Sequence, residues 1–293
     1  MKSIIQRLNE APILLLDGAM GTELFRRGVQ TQLPLWSAQA LVENPQIVRR
    51  IHEDYIRAGA EIITTNTFRT TSRALNKKGL STQAKQLTDL AVTLAKQARD
   101  AAADQPLWIA GSVAPLEDCY EPDLVPDPET AFGEHSELIQ RLAESGVDLI
   151  LIETMNTIQE TVAAARAAQT HGLPIFISWT CGSDSEILNG DSIQAGIRSL
   201  QPYNPSAFLV NCTPCNNIGP ALQKMHEVSK VPIGAYANIG KPEPVNGWEF
   251  TFDLDATAYA LEAEKWVQLG AKIVGGCCGT TPEHISALKN LKA

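Results

Sequence analysis

Two adjacent cysteines, Cys277 and Cys278, stand in the run Gly275-Gly276-Cys277-Cys278-Gly279, directly after the apolar residues Ile273 and Val274. A third, Cys212, ends another apolar run, Ala207-Phe208-Leu209-Val210-Asn211. If both runs are strands of one parallel sheet, three thiols converge at one end of it. Three thiolates with an open fourth position make a zinc site that can take a sulfur-bearing substrate. Neighbouring cysteines reach one ion only where the backbone bends between them, and the flanking glycines permit that bend. Two other uses compete. The cysteines could be buried small hydrophobes. Alternatively Cys215, at the two-residue spacing of a zinc knuckle from Cys212, could join Cys277 and Cys278 in a closed four-cysteine structural site. Cys119 and Cys181 have no companion at metal spacing and read as loop or core thiols.

Positioning such thiols requires a sheet, and the chain has the pattern of one. Short apolar, β-branched runs occur at 13–17, 61–65, 107–111, 148–153, 174–179, 207–212, 232–237 and 272–276. A helical stretch follows each, at 45–58, 82–103, 128–145, 157–171, 192–200, 220–229, 255–269 and 282–291. Ile47, Val48, Ile51, Tyr55 and Ile56 form an apolar stripe on the first of these helices. Gly59, Gly146, Gly172 and Gly270 mark helix ends just before the next strand. Eight strand-then-helix units mean parallel strands with helical crossovers, and eight closes a (β/α)8 TIM barrel. No linker or composition break divides the chain, so one barrel domain is expected over 1–293. The long segments 21–43, 114–126 and 239–253 follow strands, where such a barrel builds its site. A doubly wound open sheet is the alternative, but Asp17-Gly18-Ala19-Met20-Gly21-Thr22 matches its phosphate turn poorly.

The residues closing the strands are then Asp17 and Gly18, Asn66, Ser112, Glu153, Asn211 with Cys212, and Cys277 with Cys278. All five histidines, His52, His135, His171, His226 and His284, fall in helical stretches outside the barrel, which argues against a histidine-based metallohydrolase. A net charge of −9 without a long basic run argues against nucleic acid and anionic membranes as partners. No apolar stretch approaches the roughly 18 residues of a membrane span. Six cysteines behind an N-terminus without a signal-peptide core point to reduced thiols in the cytoplasm.

With these residues placed, the chain resembles the homocysteine S-methyltransferase family, zinc-thiolate barrels of methionine biosynthesis. The matching segments are Asp17-Gly18-Ala19-Met20-Gly21-Thr22, Pro34-Leu35-Trp36-Ser37-Ala38, Ala58-Gly59-Ala60, Thr65-Asn66-Thr67-Phe68, Ile152-Glu153-Thr154, Asn211-Cys212 and Gly275-Gly276-Cys277-Cys278-Gly279. They span nearly the whole chain in the family's order, and the last is highly specific. The resemblance implies that Cys212, Cys277 and Cys278 hold Zn2+ and that Asp17 and Glu153 bind the amino group of homocysteine. It assigns Cys215 no role. The backbone N–H groups of Gly18 and Ala19 suit the substrate carboxylate, because small residues permit close approach. Asn66, Ser112 and Asn211 either touch substrate or hold loops. Trp36 and Trp179 could face a cationic donor, although packing is the commoner role.

The methyl donor is less legible. Relatives use S-methylmethionine, S-adenosylmethionine, betaine or a methylated corrinoid carried by further domains. A chain of this length favours a small sulfonium. The run Ala235-Tyr236-Ala237-Asn238-Ile239-Gly240 departs from the Tyr-Pro-Asn-Ser-Gly-Glu-like run of S-methylmethionine-specific forms and is closer to the cobalamin and betaine branch. A corrinoid protein partner therefore stays open. So does a non-catalytic zinc- or thiol-binding protein, though storage needs no carboxylates at strands one and four.

Overall fold

The apolar runs form eight parallel strands in the computed structural model, which describes residues 2–10, 12–102, 106–241, 249 and 254–292. They are β1 (Leu14–Leu15), β2 (Ile62–Thr64), β3 (Trp108–Val113), β4 (Leu149–Met155), β5 (Ile175–Trp179), β6 (Ala207–Pro214), β7 (Ile233–Asn238) and β8 (Ala271–Gly276). Each pairs with the next from β2 to β8, and β8 pairs with β1. A parallel bridge between Leu16 and Ile62 joins β1 to β2 and completes the ring. The molecule is the (β/α)8 barrel that the alternation of elements predicts. β1 and β2 are shorter than their apolar runs. The reason lies at Asp17, whose carboxylate accepts the Thr64 N–H at 2.7 Å, so that a side chain replaces the ladder there.

Parallel neighbours need crossovers. These are α1 (Pro45–Ala58), α2 (Ala84–Ala101), α3 (Pro128–Glu144), α4 (Ile158–Gln169), α5 (Ile193–Leu200), α6 (Cys215–His226), α7 (Ala256–Gln268) and α8 (Pro282–Ala287). Side-chain caps start several of them: Asp127, Thr157, Ser192 and Asp255 each accept a first-turn N–H. The four glycines expected at helix ends all have positive φ. α6 begins five residues before Pro220, the expected first helical residue, and carries that proline inside. Short helices at Gly21–Arg26 and Gln39–Glu43 occupy a segment expected to be a loop, and another, Ser72–Asn76, precedes α2. Most of the expected loop at 239–253 lies outside the described residues.

Two apolar layers hold the barrel. Side chains of one parity, including Leu15, Ile63, Ile109, Ile150 and Val210, meet the helices. Those of the other parity, including Leu14, Trp108, Leu149, Phe176 and Leu209, fill the interior. The helix Ile4–Glu10 adds Ile4 and Leu8 to that inner cluster. Because strand side chains alternate with a period of two, the same inward parity continues as Thr64, Ser112, Glu153, Ser178, Asn211 and Tyr236 toward the C-terminal strand ends. The interior thus passes from apolar to polar where a barrel places its chemistry. No helix among the described residues is long and apolar enough to cross a membrane.

Candidate active site

β4 and β6 both leave the regular pleat at their C-terminal ends. Thr154 and Cys212 have φ of 58° and 48°, and the pairing register shifts beside each. Left-handed backbone at non-glycine residues is costly, on the order of 1–3 kcal/mol each, and persists only where neighbours enforce it. Asn211 does so. Its Oδ1 accepts from Thr154 N (2.9 Å) and Ser178 Oγ (2.7 Å), and its Nδ2 donates to Thr154 Oγ1 (2.8 Å). The kink after Asn211 leaves the Cys212 Sγ 2.7 Å from that of Cys277.

β8 delivers the other two thiols through a pinned turn. Cys277 N donates to Ala237 O (2.9 Å), Ile239 N to Cys278 O (2.8 Å), and Thr280 Oγ1 to Cys277 O (2.8 Å). Gly279 has φ of 89°, and a Cβ there would fall 1.8 Å from Ile239 O, so only glycine fits.

The ligand atoms of Cys212, Cys277 and Cys278 all lie within 4.8 Å of one another. Burial opposes ionisation of Cys277, but hydrogen bonds from the Cys212 and Cys278 thiols outweigh it and hold Cys277 well below the ordinary thiol range. Donating to Cys277 holds Cys212 well above it. Further ionisation would bring like charges together in a buried space, which a soft cation among the sulfurs relieves. The donor set therefore fits a thiolate-bound metal. Cys215 stands apart from the three as the first residue of α6, its Sγ 3.5 Å from Asn238 O. Burial pushes Cys119, Cys181 and Cys215 each up to about 12.

The three thiols open into a cavity of about 390 Å³ that also receives Asp17, Gly18, Ala19, Asn66 and Glu153. Asp17 accepts from Thr64 N and Oγ1 (2.7 and 3.0 Å). Glu153 accepts from Ser112 Oγ (2.5 Å) and Tyr236 OH (3.1 Å). Burial pushes Asp17 up to about 8 against the Thr64 hydrogen bonds, and nearby Glu153 adds to the rise. Burial likewise pushes Glu153 up to about 7. Among the described residues neither carboxyl forms an ion pair with a side chain, and burial is the main cause of both rises. Asn66 donates to Ser37 O (2.9 Å), while its buried Oδ1 has no partner. The Ala19 N–H is used by Thr280 Oγ1 (3.3 Å). Gly18 packs so tightly that a Cβ would lie 2.7 Å from the Tyr55 ring.

Asn211, by contrast, is fully buried and bonds Thr154 and Ser178 rather than lining the cavity. Trp36 lines the cavity, whereas Trp179 is core, stacked on Phe208 at 5.5 Å. Of the histidines, His135 meets Glu160 (3.1 Å) and His284 caps α8. Arg69, Tyr120 and Tyr236 also line the cavity and were not singled out from sequence. The available signals were the alternation along β7 for Tyr236 and the position of Arg69 directly after Thr65-Asn66-Thr67-Phe68.

A family model described as homocysteine S-methyltransferase matches residues 14–291. The homocysteine S-methyltransferase of Escherichia coli (strain K12) is 34% identical over 299 aligned residues, covering 96% of each chain. The selenocysteine methyltransferase of Astragalus bisulcatus is 30% identical, covering 94% of this chain and 90% of its own. Among solved structures, the metallated form of the homocysteine methyltransferase MmuM from Escherichia coli superposes with a TM-score of 0.86 at 34% identity, covering 98% of each chain. A match along almost the full barrel, in sequence and in fold, makes this chain an enzyme of the homocysteine S-methyltransferase family.

Proposed function

We propose that the cavity binds homocysteine and that the enzyme transfers a methyl group to its thiol from a small sulfonium, S-methylmethionine or S-adenosylmethionine, with zinc as the metal at Cys212, Cys277 and Cys278. The observation that carries this reading is the shared cavity: three clustered thiols and two carboxyls without a cation open into the same space. A substrate with a thiol at one end and an ammonium at the other satisfies both.

Zinc held there would supply the positive charge that lets an alkyl thiol ionise near neutral pH. The chain's own residues do the rest. Asp17 and Glu153 take the ammonium as carboxylates, and the free Asn66 Oδ1 accepts one of its N–H bonds. The Gly18 backbone, in the cavity wall, is offered to the substrate carboxylate. Trp36 and Phe68 line the cavity and present aromatic surface suited to a sulfonium. The homocysteine sulfur donates its electron pair to the donor's methyl carbon and a new S–C bond forms. The old C–S bond breaks, its electron pair returns to the donor sulfur, and a neutral thioether leaves. No side chain need protonate that leaving group, because a neutral thioether departs. Holding both reactants in line contributes much of the remaining rate.

The direct assay supplies zinc-loaded protein with homocysteine and each donor and measures methionine. Formation from S-methylmethionine, and more slowly from the bulkier S-adenosylmethionine, is expected. Turnover only with betaine or a methylated corrinoid would reject the sulfonium.

A further inference from the structure

Arg69 is 6% exposed and stands in the cavity wall. Its Nη1 donates to the Glu117 carbonyl at 2.8 Å, and its Nε is buried without a partner. Buried guanidinium groups are normally paired. Arg69 lies over the Phe68 ring at 5.5 Å, and among the described residues it forms no ion pair, not even with Glu121, which lines the same cavity. The Glu117 carboxylate holds Arg73 (2.9 Å) and Lys77 (2.6 Å), and Asp118 Oδ1 accepts the Tyr120 N–H (2.9 Å). The missing partner is therefore an anion that enters the cavity.

Its position decides which anion. The ammonium and carboxylate of an amino acid share one carbon. A guanidinium that binds the homocysteine carboxylate would have to stand beside Asp17 and Glu153. Those two bond strand residues, Asp17 to Thr64 and Glu153 to Ser112 and Tyr236, whereas Arg69 is anchored to the Glu117 carbonyl in the segment after β3. We propose that Arg69 receives the carboxylate of the methyl donor, so that the second substrate is selected as a carboxylate-bearing sulfonium. Planar guanidinium suits this, since it offers two parallel N–H bonds to a carboxylate. The assignment rests on the methyl-transfer reading above and adds the group by which the donor is chosen.

The test compares S-methylmethionine with its α-carboxamide, which keeps the sulfonium and ammonium but loses the negative charge. For the wild-type enzyme kcat/KM should fall on the order of 10- to 100-fold with the amide, while the KM for homocysteine is unchanged. Arg69→Gln should impose a similar loss on the acid, abolish discrimination between acid and amide, and leave calorimetric homocysteine binding intact. Arg69→Lys should restore part of the preference. Equal turnover of acid and amide by the wild-type enzyme would overturn the assignment, and that arm requires no variant to fold. So would an Arg69→Gln enzyme whose homocysteine KM rises while its donor KM does not. Absence of methionine with either sulfonium would instead overturn the donor reading on which the assignment rests.

Discussion

Asn211 and Thr154 are locked together by two reciprocal hydrogen bonds, Thr154 N to Asn211 Oδ1 (2.9 Å) and Asn211 Nδ2 to Thr154 Oγ1 (2.8 Å). Thr154 directly follows Glu153, and Cys212 directly follows Asn211. One amide thus couples the carboxylate side of the site to the thiol side. Asn211→Leu should leave the Thr154 N–H and the Ser178 hydroxyl unpaired in the core. A cost of about 1–3 kcal/mol is expected for each buried group left unsatisfied, read by denaturant unfolding. Zinc retention and homocysteine affinity should both decline in the folded variant. A loss of homocysteine affinity alone, with stability and zinc unchanged, would mean that Asn211 contacts the substrate directly.

The purified enzyme should carry about one zinc per chain. Serine at Cys212, Cys277 or Cys278 should remove most of it, because each supplies one of three clustered sulfurs. Cys215→Ser should keep it, since that thiol lies apart at the start of α6. Elemental analysis of the four variants decides the ligand set. Zinc loss in the Cys215 variant would favour the closed four-cysteine site.

Asp17→Asn and Glu153→Gln should raise the KM for homocysteine without emptying the metal site. Truncating one side of a buried charge-assisted contact costs on the order of 2–5 kcal/mol, part of it from the partner left unpaired. Near-wild-type KM in both variants would make these carboxyls structural.

The pH dependence of stability follows from Asp17. Its carboxyl lies at about 8 in the folded enzyme, above the ordinary 3.8, so the folded state holds this proton more tightly than the unfolded chain. The associated stability is full below about pH 4 and is lost as pH rises through about 8. Without substrate, the Asp17 contribution should therefore lower Tm between about pH 4 and 8, and Asp17→Asn should flatten that fall. An identical slope in the variant would show that Asp17 is ionised throughout.

Most of the barrel was legible because two periodicities specify it: alternation along strands and amphipathic stripes on helices such as α1. The cysteines, Asp17 and Glu153 were legible because each ends an apolar run, and the fold brings those ends to one rim. What remained hidden depends on side-chain direction. Asn211 is the last inward residue before the β6 kink, and nothing local announces that its amide turns to Thr154 rather than to the cavity. Arg69 reads as one charge in a threonine-rich loop; only the packed structure reveals that Glu117 is already held by Arg73 and Lys77. Pro220 misled the reading of α6 because proline favours a helix's first turn, whereas here the helix begins earlier.

The central claim is that the thiol of homocysteine meets the three-cysteine centre. Calorimetric titration of homocysteine into zinc-loaded and chelator-stripped enzyme, in buffers of different ionisation enthalpy, tests it most directly. Binding with proton release near neutral pH is predicted for the zinc-loaded enzyme, with affinity collapsing once the metal is removed. Equal homocysteine affinity in the two forms, without proton release, would contradict the account.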